Sequence, residues 1–134
     1  MQQLLQYLTD QKIPEVARIK EFIPTIEKRA KISVNEYLGK QPLTSPLQTH
    51  TDSDYKYYGQ LNADGKEHGR GIKILDLGTI HIGYFENGVW STGNYIAIHS
   101  NGRFSVGEKY MKEGKKWTRG TAYFTTGKEE KYDK

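Results

Sequence analysis

The stretch Tyr57-Tyr58-Gly59-Gln60-Leu61, followed at Gly65 by Gly65-Lys66-Glu67-His68-Gly69-Arg70-Gly71, decides the fold, because its grammar recurs. Gly59, Gly83 and Gly107 are each 24 residues apart, Gly78 and Gly102 are also 24 apart, and Gly127 follows after 25. Gly65, Gly88 and Gly114 form a looser third series. The residues between them repeat too: Ile72-Lys73-Ile74 becomes Ile96-Ala97-Ile98 and then Thr121-Ala122-Tyr123, while Ile80-His81-Ile82 becomes Phe104-Ser105-Val106. Apolar residues two apart share one face of a strand. The triplets are separated by Asp76-Leu77-Gly78, Ser100-Asn101-Gly102 and Thr125-Thr126-Gly127, turn sequences in which glycine takes positive φ without steric cost. Each unit therefore reads as strand, tight turn, strand. Further turns at Ala63-Asp64-Gly65, Glu86-Asn87-Gly88 and Lys112-Glu113-Gly114 lead onward, and a repeat of this length is the mark of an array. The expected product is a meandering antiparallel sheet extended by one hairpin per repeat.

This pattern resembles the MORN repeat, Tyr-x-Gly-x-aromatic followed by Gly-x-x-x-Gly-x-Gly. The first unit matches with one inserted residue. The second keeps His81-Ile82-Gly83-Tyr84-Phe85 and Gly88, and the third keeps Gly107, Gly114 and Gly120. His81 and Ser105 stand where the family has Tyr, Lys109 stands where it has an aromatic, and Thr92-Gly93-Asn94-Tyr95 interrupts the Gly-x-Gly element. The resemblance implies about three degenerate repeats over residues 55–134, with Gly59, Gly65, Gly71, Gly78, Gly83, Gly88, Gly102, Gly107, Gly114, Gly120 and Gly127 as structural glycines.

Residues 1–39 read differently. Leu4, Leu5 and Leu8 lie at helical spacing, Pro14 suits a first helical position, and Val16, Ile19, Ile23, Ile26, Ala30, Val34 and Tyr37 mark one apolar stripe. Pro24 predicts a break or kink in that run and Gly39 a helix stop. Residues 40–54, with Pro42 and Pro46 among Ser, Thr and Gln, read as an extended connector. The fold class is thus α+β: a helical N-terminal segment, a linker, and a hairpin array. The helical segment either caps one end of the sheet or covers one face, as open arrays require, or docks elsewhere.

A mean hydropathy of −0.80 leaves little material for a thick core, but 10 Tyr, 4 Phe and 2 Trp beside 14 Gly point to a thin sheet covered by rings rather than to disorder. A glycine opposite an aromatic lets the ring lie across the backbone, so Tyr57, Phe85, Tyr95, Trp117 and Tyr123 are candidates for an aromatic surface, together with Trp90. These rings serve equally as core. Trp90 and Trp117 follow hairpin turns, where exposure is easy, and Trp is enriched at binding hot spots. Arg103, Lys109, Lys112, Lys115, Lys116 and Arg119 stand against only Glu108 and Glu113, so this segment matches the chain's whole net charge of +4. Such a patch suits an acidic protein, anionic phospholipid or nucleic acid, or simply a solvated face.

Catalytic signatures are missing from the sequence. Gly69-Arg70-Gly71 lacks the Lys-Ser/Thr of a phosphate loop, no Gly-x-Ser-x-Gly elbow surrounds a serine, and His50, His68, His81 and His99 do not pair at zinc spacing. His81 reads as a packed imidazole and Glu129-Glu130 as solvated. With no cysteine, thiolate metal sites and disulfides are excluded, and an intracellular setting, cytoplasmic, cytoskeletal or organellar, is expected. No secretory or membrane-spanning segment is visible. The expected function is a non-catalytic interaction module without cofactor or metal, binding another protein within a larger assembly, cytoskeletal or ciliary as in the family it resembles. Peripheral binding to anionic lipid through the basic segment, contact with nucleic acid, and a small regulatory or inhibitory role are the other expectations.

Overall fold

A computed structural model describes residues 1–39, 43 and 45–134. Three helices, α1 (Gln2–Asp10), α2 (Glu15–Ala30) and α3 (Val34–Leu38), precede nine strands: β1 (Gln48–Thr51), β2 (Tyr55–Leu61), β3 (Glu67–Leu75), β4 (Ile80–Glu86), β5 (Val89–Trp90), β6 (Gly93–Ile98), β7 (Phe104–Lys112), β8 (Lys115–Tyr123) and β9 (Glu129–Asp133). The strands form one open antiparallel sheet in the order β1-β2-β3-β4-β6-β7-β8-β9, with the two-residue β5 folded back on β4. The meander expected from the repeat is present. Two expectations change. β1 lies inside the stretch read as a connector and pairs with β2, while Lys40, Gln41, Pro42 and Thr44 of that stretch fall outside the described residues. Pro24 does not break its helix: α2 runs through it, with Ile19 and Ile26 buried on either side. The interruption comes instead at Lys31, in the left-handed conformation, after which the Ser33 side chain accepts from the Glu36 N–H and starts α3.

The register sorts the sheet into two faces. On one, Tyr58, Ile72, Ile82, Ile96, Val106 and Thr121 lie in a single cross-strand row, and Ile74, Ile80, Ile98, Phe104 and Tyr123 in the next. The helices lay Leu4, Leu8, Ile19, Ile26, Val34 and Leu38 on these rows and close the core. Helix amphipathicity at 3.6 residues and strand alternation at two thus meet on one surface. The helical segment, for which capping and outside docking were both open, covers this face.

Two arginines fix α2 along the turn ends of the array. Arg18 donates to the Gly78 carbonyl at 2.5 Å and to the His99 carbonyl, and Arg29 donates to the Phe124 carbonyl at 2.8 Å. The arginines are 11 positions apart, about 16 Å along a helix. Two strand spacings per hairpin carry the turns forward by about 10 Å, so one helix spans three consecutive turns. At the opposite end of the same face, polar strand residues hold the carbonyls that α3 leaves unbonded. Asn94 donates to Tyr37 at 2.9 Å, Tyr84 to Leu38 at 2.7 Å and Arg70 to Gly39 at 2.9 Å.

Across the other face runs a line of glycines. Gly59, Gly71, Gly83, Gly107 and Gly120 occupy successive positions of one cross-strand row, shared with Tyr95 and Tyr132. A Cβ at Gly71 would collide with the Tyr57 ring, one at Gly107 with the Arg119 carbonyl and, at 3.0 Å, the Tyr95 hydroxyl, and one at Gly120 with the Val106 carbonyl and, at 2.9 Å, the Tyr132 hydroxyl. These glycines make room both for the neighbouring strand's backbone and for aromatic side chains. Gly65, Gly78, Gly88, Gly102, Gly114 and Gly127 are a different class, with positive φ in turns.

The ring-on-glycine contact predicts a coupled pair. Gly71→Ala should lower the unfolding free energy by about 1–3 kcal/mol through overpacking, and Tyr57→Ala by about 3–5 kcal/mol. The double variant should lose less than the sum of the two, as measured by urea unfolding, because removing the ring removes the clash.

Candidate interaction face

No helix among the described residues covers the glycine-bearing face, and its side chains build their own second layer. The Tyr57 and Phe85 rings meet edge to face at 5.2 Å. The β5 hairpin folds Trp90 over the sheet, where it stacks on His81 at 4.2 Å and meets the Tyr95 edge at 4.8 Å. Tyr95 and Tyr132 join hydroxyl to hydroxyl. Tyr57, Phe85 and Tyr95 are consequently buried, at 0%, 3% and 4% exposure. These rings are a thin core and present little of their own surface.

Lysines lie above the rings. The Lys73 ammonium sits 4.2 Å from the Tyr55 centroid and 5.1 Å from that of Phe85. Lys109 sits 4.8 Å from Trp90 and 5.4 Å from Tyr95, and also reaches the Thr118 hydroxyl at 3.1 Å. Lys116 donates to the Trp90 carbonyl at 2.8 Å. Such stems cover apolar surface while the charge stays at the rim, and each cation over a ring adds about 0.5–2 kcal/mol. Burial, then the neighbouring Lys116, push the Lys109 ammonium below its ordinary range.

Glu67, 2% exposed, is the buried acid of this face and pairs with Lys73 at 3.3 Å. Burial pushes its carboxyl up, but the Tyr55 hydroxyl, a backbone N–H and Lys73 outweigh it and the net shift is downward. Burial likewise raises Tyr55, Tyr57 and Tyr95. By register and contact, Lys73, Arg103, Lys109, Lys116, Lys128 and Lys134 belong to this face, against Glu67, Glu130 and Asp52, which stands opposite Tyr55 at the β1 end. Six cations and three carboxylates give +3, most of the chain's net charge of +4.

Comparison of the chain with protein-family models, curated proteins and solved structures returns no match.

The residues singled out by sequence divide between the two faces. Tyr57, Phe85, Trp90 and Tyr95 come together as described. Tyr123 does not join them: it lies on the helix-covered face, stacked on Phe104 at 4.8 Å with Arg29 above it. Trp117 also lies on the face opposite to Trp90, beside Tyr110 and under Lys112 at 5.3 Å. Neither Trp90 nor Trp117 is exposed; both are half-buried. The basic segment is split by strand alternation. Lys109 and Lys116 face the rings, Arg119 points the other way and pairs with Glu108 at 2.6 Å, and Lys112 and Lys115 sit at the β7–β8 turn. Arg103 lies at the far end of β7 from them. Lys73 and Glu67 were missed because a charge inside a repeat gives no sign of burial until the register is known. A shallow depression of about 610 Å³ also opens past α3, lined by Tyr37, Asn94, Glu108, Arg119, Lys131 and Asp133. Its cations and acids are mixed, and Arg119 is already spoken for by Glu108. Among the described residues no group of three or more potential ligands could hold a metal, and no helix is long and apolar enough to cross a membrane.

Burial holds the His81 imidazole down at about 4, with His99, Lys73 and Lys109 adding to the effect. The unfolded chain takes up this proton near its ordinary value of 6.5, so between those values the unfolded state binds more protons than the folded one. His81 therefore contributes stability fully present above about pH 6.5 and lost as pH falls towards 4, by about 2–3 kcal/mol. Urea unfolding at stepped pH should show this loss, and His81→Phe, which keeps a ring against Trp90, should flatten that part of the profile.

Proposed function

We propose that this chain is a non-catalytic interaction module of the MORN type, whose helix-free sheet face receives an acidic segment of a partner protein. The observation that carries the reading is the segregation of charge: +3 of the chain's net +4 lies on the sheet face that no helix among the described residues covers. The ring-on-glycine row supports the MORN resemblance, because it gives a physical role to Gly59, Gly71, Gly83, Gly107 and Gly120. A protein partner is favoured over single-stranded nucleic acid by the burial of Tyr57, Phe85 and Tyr95, since base stacking requires open ring faces. Binding in place of catalysis fits a face whose titratable groups are engaged in packing: His81 beneath Trp90, Glu67 on Lys73, Lys109 on two rings. Lysines raised over a rigid aromatic floor give electrostatic attraction with little side-chain freedom to lose.

A second reading rests on the β7–β8 turn, where Met111 is 56% exposed beside exposed Lys112, Lys115 and Lys116. An apolar tip ringed by lysines suits attachment to anionic phospholipid. The two readings separate in one set of variants. Lysine-directed cross-linking of the native assembly, purified at moderate salt, should place partner cross-links on Lys109 and Lys116 and leave Lys12, Lys20 and Lys28 of the helical segment unlinked. Lys109→Glu with Lys116→Glu should reduce partner recovery at least tenfold. Cross-links confined to the helices, or unchanged recovery, would refute the reading. Sedimentation with phosphatidylserine vesicles that is abolished by Lys112→Glu with Lys115→Glu would favour the lipid reading instead.

A further inference from the structure

One cross-strand row of the helix-free face runs Tyr57, Lys73, His81, Ala97, Ser105, Ala122, Glu130. Its members at 24-residue intervals shrink from Tyr57 through His81 to Ser105. In the first unit the ring fills its own place over Gly71. In the second, the smaller imidazole is topped by Trp90. In the third, the buried Ser105 is flanked in the row by the small Ala97 and Ala122, and a pocket of about 320 Å³ opens there. Ser105 and Ala122 line it together with Phe124 and Tyr132, and its rim carries Arg103, Lys134 and Glu130. The Arg103 guanidinium lies 5.4 Å from the Phe124 centroid, and its buried Nε has no hydrogen-bond partner among the described residues. Glu130 is engaged by Lys128 at 3.9 Å, which leaves the rim positive.

We infer that this pocket is the anchor site of the interaction face and takes an aromatic side chain of the partner that is followed or preceded by a carboxylate. This rests on the reading of the face as a protein-binding surface and adds the identity of its anchor. The pocket is within the range of about 300–1,000 Å³ typical of ligand sites. It opens over Ser105, the position in the cross-strand row that the Tyr57 side chain fills in the first unit. Arg103 supplies a planar, permanently charged donor fork for the carboxylate, held by its stacking on Phe124.

The test uses the whole chain and three small probes: 3-phenylpropionate, 3-phenylpropylamine and butyrate. NMR titration should show saturable shifts at Ser105, Ala122 and Tyr132 with 3-phenylpropionate, and at least fivefold weaker binding of the amine and of butyrate. Arg103→Gln should weaken phenylpropionate at least fivefold and erase its advantage over the amine. Ser105→Phe should fill the pocket and abolish binding; Ala122→Leu serves the same purpose should the first variant not fold. Equal binding of all three probes, or shifts scattered over surface lysines, would overturn the inference. So would partner recovery unchanged by a pocket-filling variant while Lys109→Glu with Lys116→Glu abolishes it, a result that leaves the interaction face standing. Recovery unchanged by both would fail the face itself.

Discussion

The contact on which the rest of the molecule depends is an aromatic side chain packed against glycine backbone. A single-layer sheet in a 134-residue chain can bury one face against helices, but its other face would ordinarily meet water. Here the row Gly59, Gly71, Gly83, Gly107, Gly120 lowers the floor by one side-chain layer, and Tyr57, Trp90, Tyr95 and Tyr132 settle into it. Tyr57 and Tyr95 are buried, and Trp90 and Tyr132 half-buried, without a second sheet or helix above them among the described residues. This is why a chain of low mean hydropathy forms a cored structure on both faces. It also explains why its apolar residues are so aromatic, since only rings are broad and flat enough to seal exposed backbone from one side.

The same repeat sets the other face. A 24-residue period returns each Ile-x-Ile triplet to the same side of the sheet, so Ile72, Ile82, Ile96 and Val106 make one continuous row. Helices short enough to be marginal alone become stable because that row is straight and long. Arg18 and Arg29 then act as rulers, bonding carbonyls of successive turns. The polar ends of the strands, at Arg70, Tyr84 and Asn94, close α3 in the way a C-terminal cap does. Helical segment and array are therefore one folding unit, joined by hydrogen bonds at both ends and by apolar packing between.

Much of this was legible in the sequence, and the limits have physical causes. Glycine spacing and the alternating triplets carry the meander, because period-two patterns report directly on strand faces. The apolar stripe from Val16 to Tyr37 carries the helices. Pro24 misled, because tertiary burial of Ile19 and Ile26 outweighs the loss of one backbone hydrogen bond. β1 was hidden because an edge strand of Gln, Thr and His has no hydrophobic alternation to show. The site was half legible. Tyr57, Phe85, Trp90 and Tyr95 were found because they flank glycines, but Tyr123 and Trp117 were grouped with them without regard to parity. Tyr123 takes the place that Ile74 and Ile98 hold in the earlier units and lies with them on the covered face. The 25-residue step between Ala97 and Ala122 changed its number from even to odd and obscured that parity.

That parity rule also governs charge. A cluster of cations in sequence, such as Lys109 to Arg119, is divided by a strand into two faces and cannot act as one patch. What the fold assembles instead is a patch from distant segments: Lys73 from β3, Arg103 and Lys109 from β7, Lys116 from β8, Lys134 beyond β9. Arg103, Lys109 and Lys116 stand out in sequence as part of a basic run, but Lys73 and Lys134 do not. Gathering them on one side produces a directional field, stronger over the ring-lined face than any local count implies. The loss of ring volume from Tyr57 to His81 to Ser105 runs along this same face. Ring packing thus dominates its first units, and an open, cation-rimmed pocket its last. An array of near-identical repeats acquires a distinct end in this way, by substitution within a fixed register, with no change in the backbone path that the glycines impose.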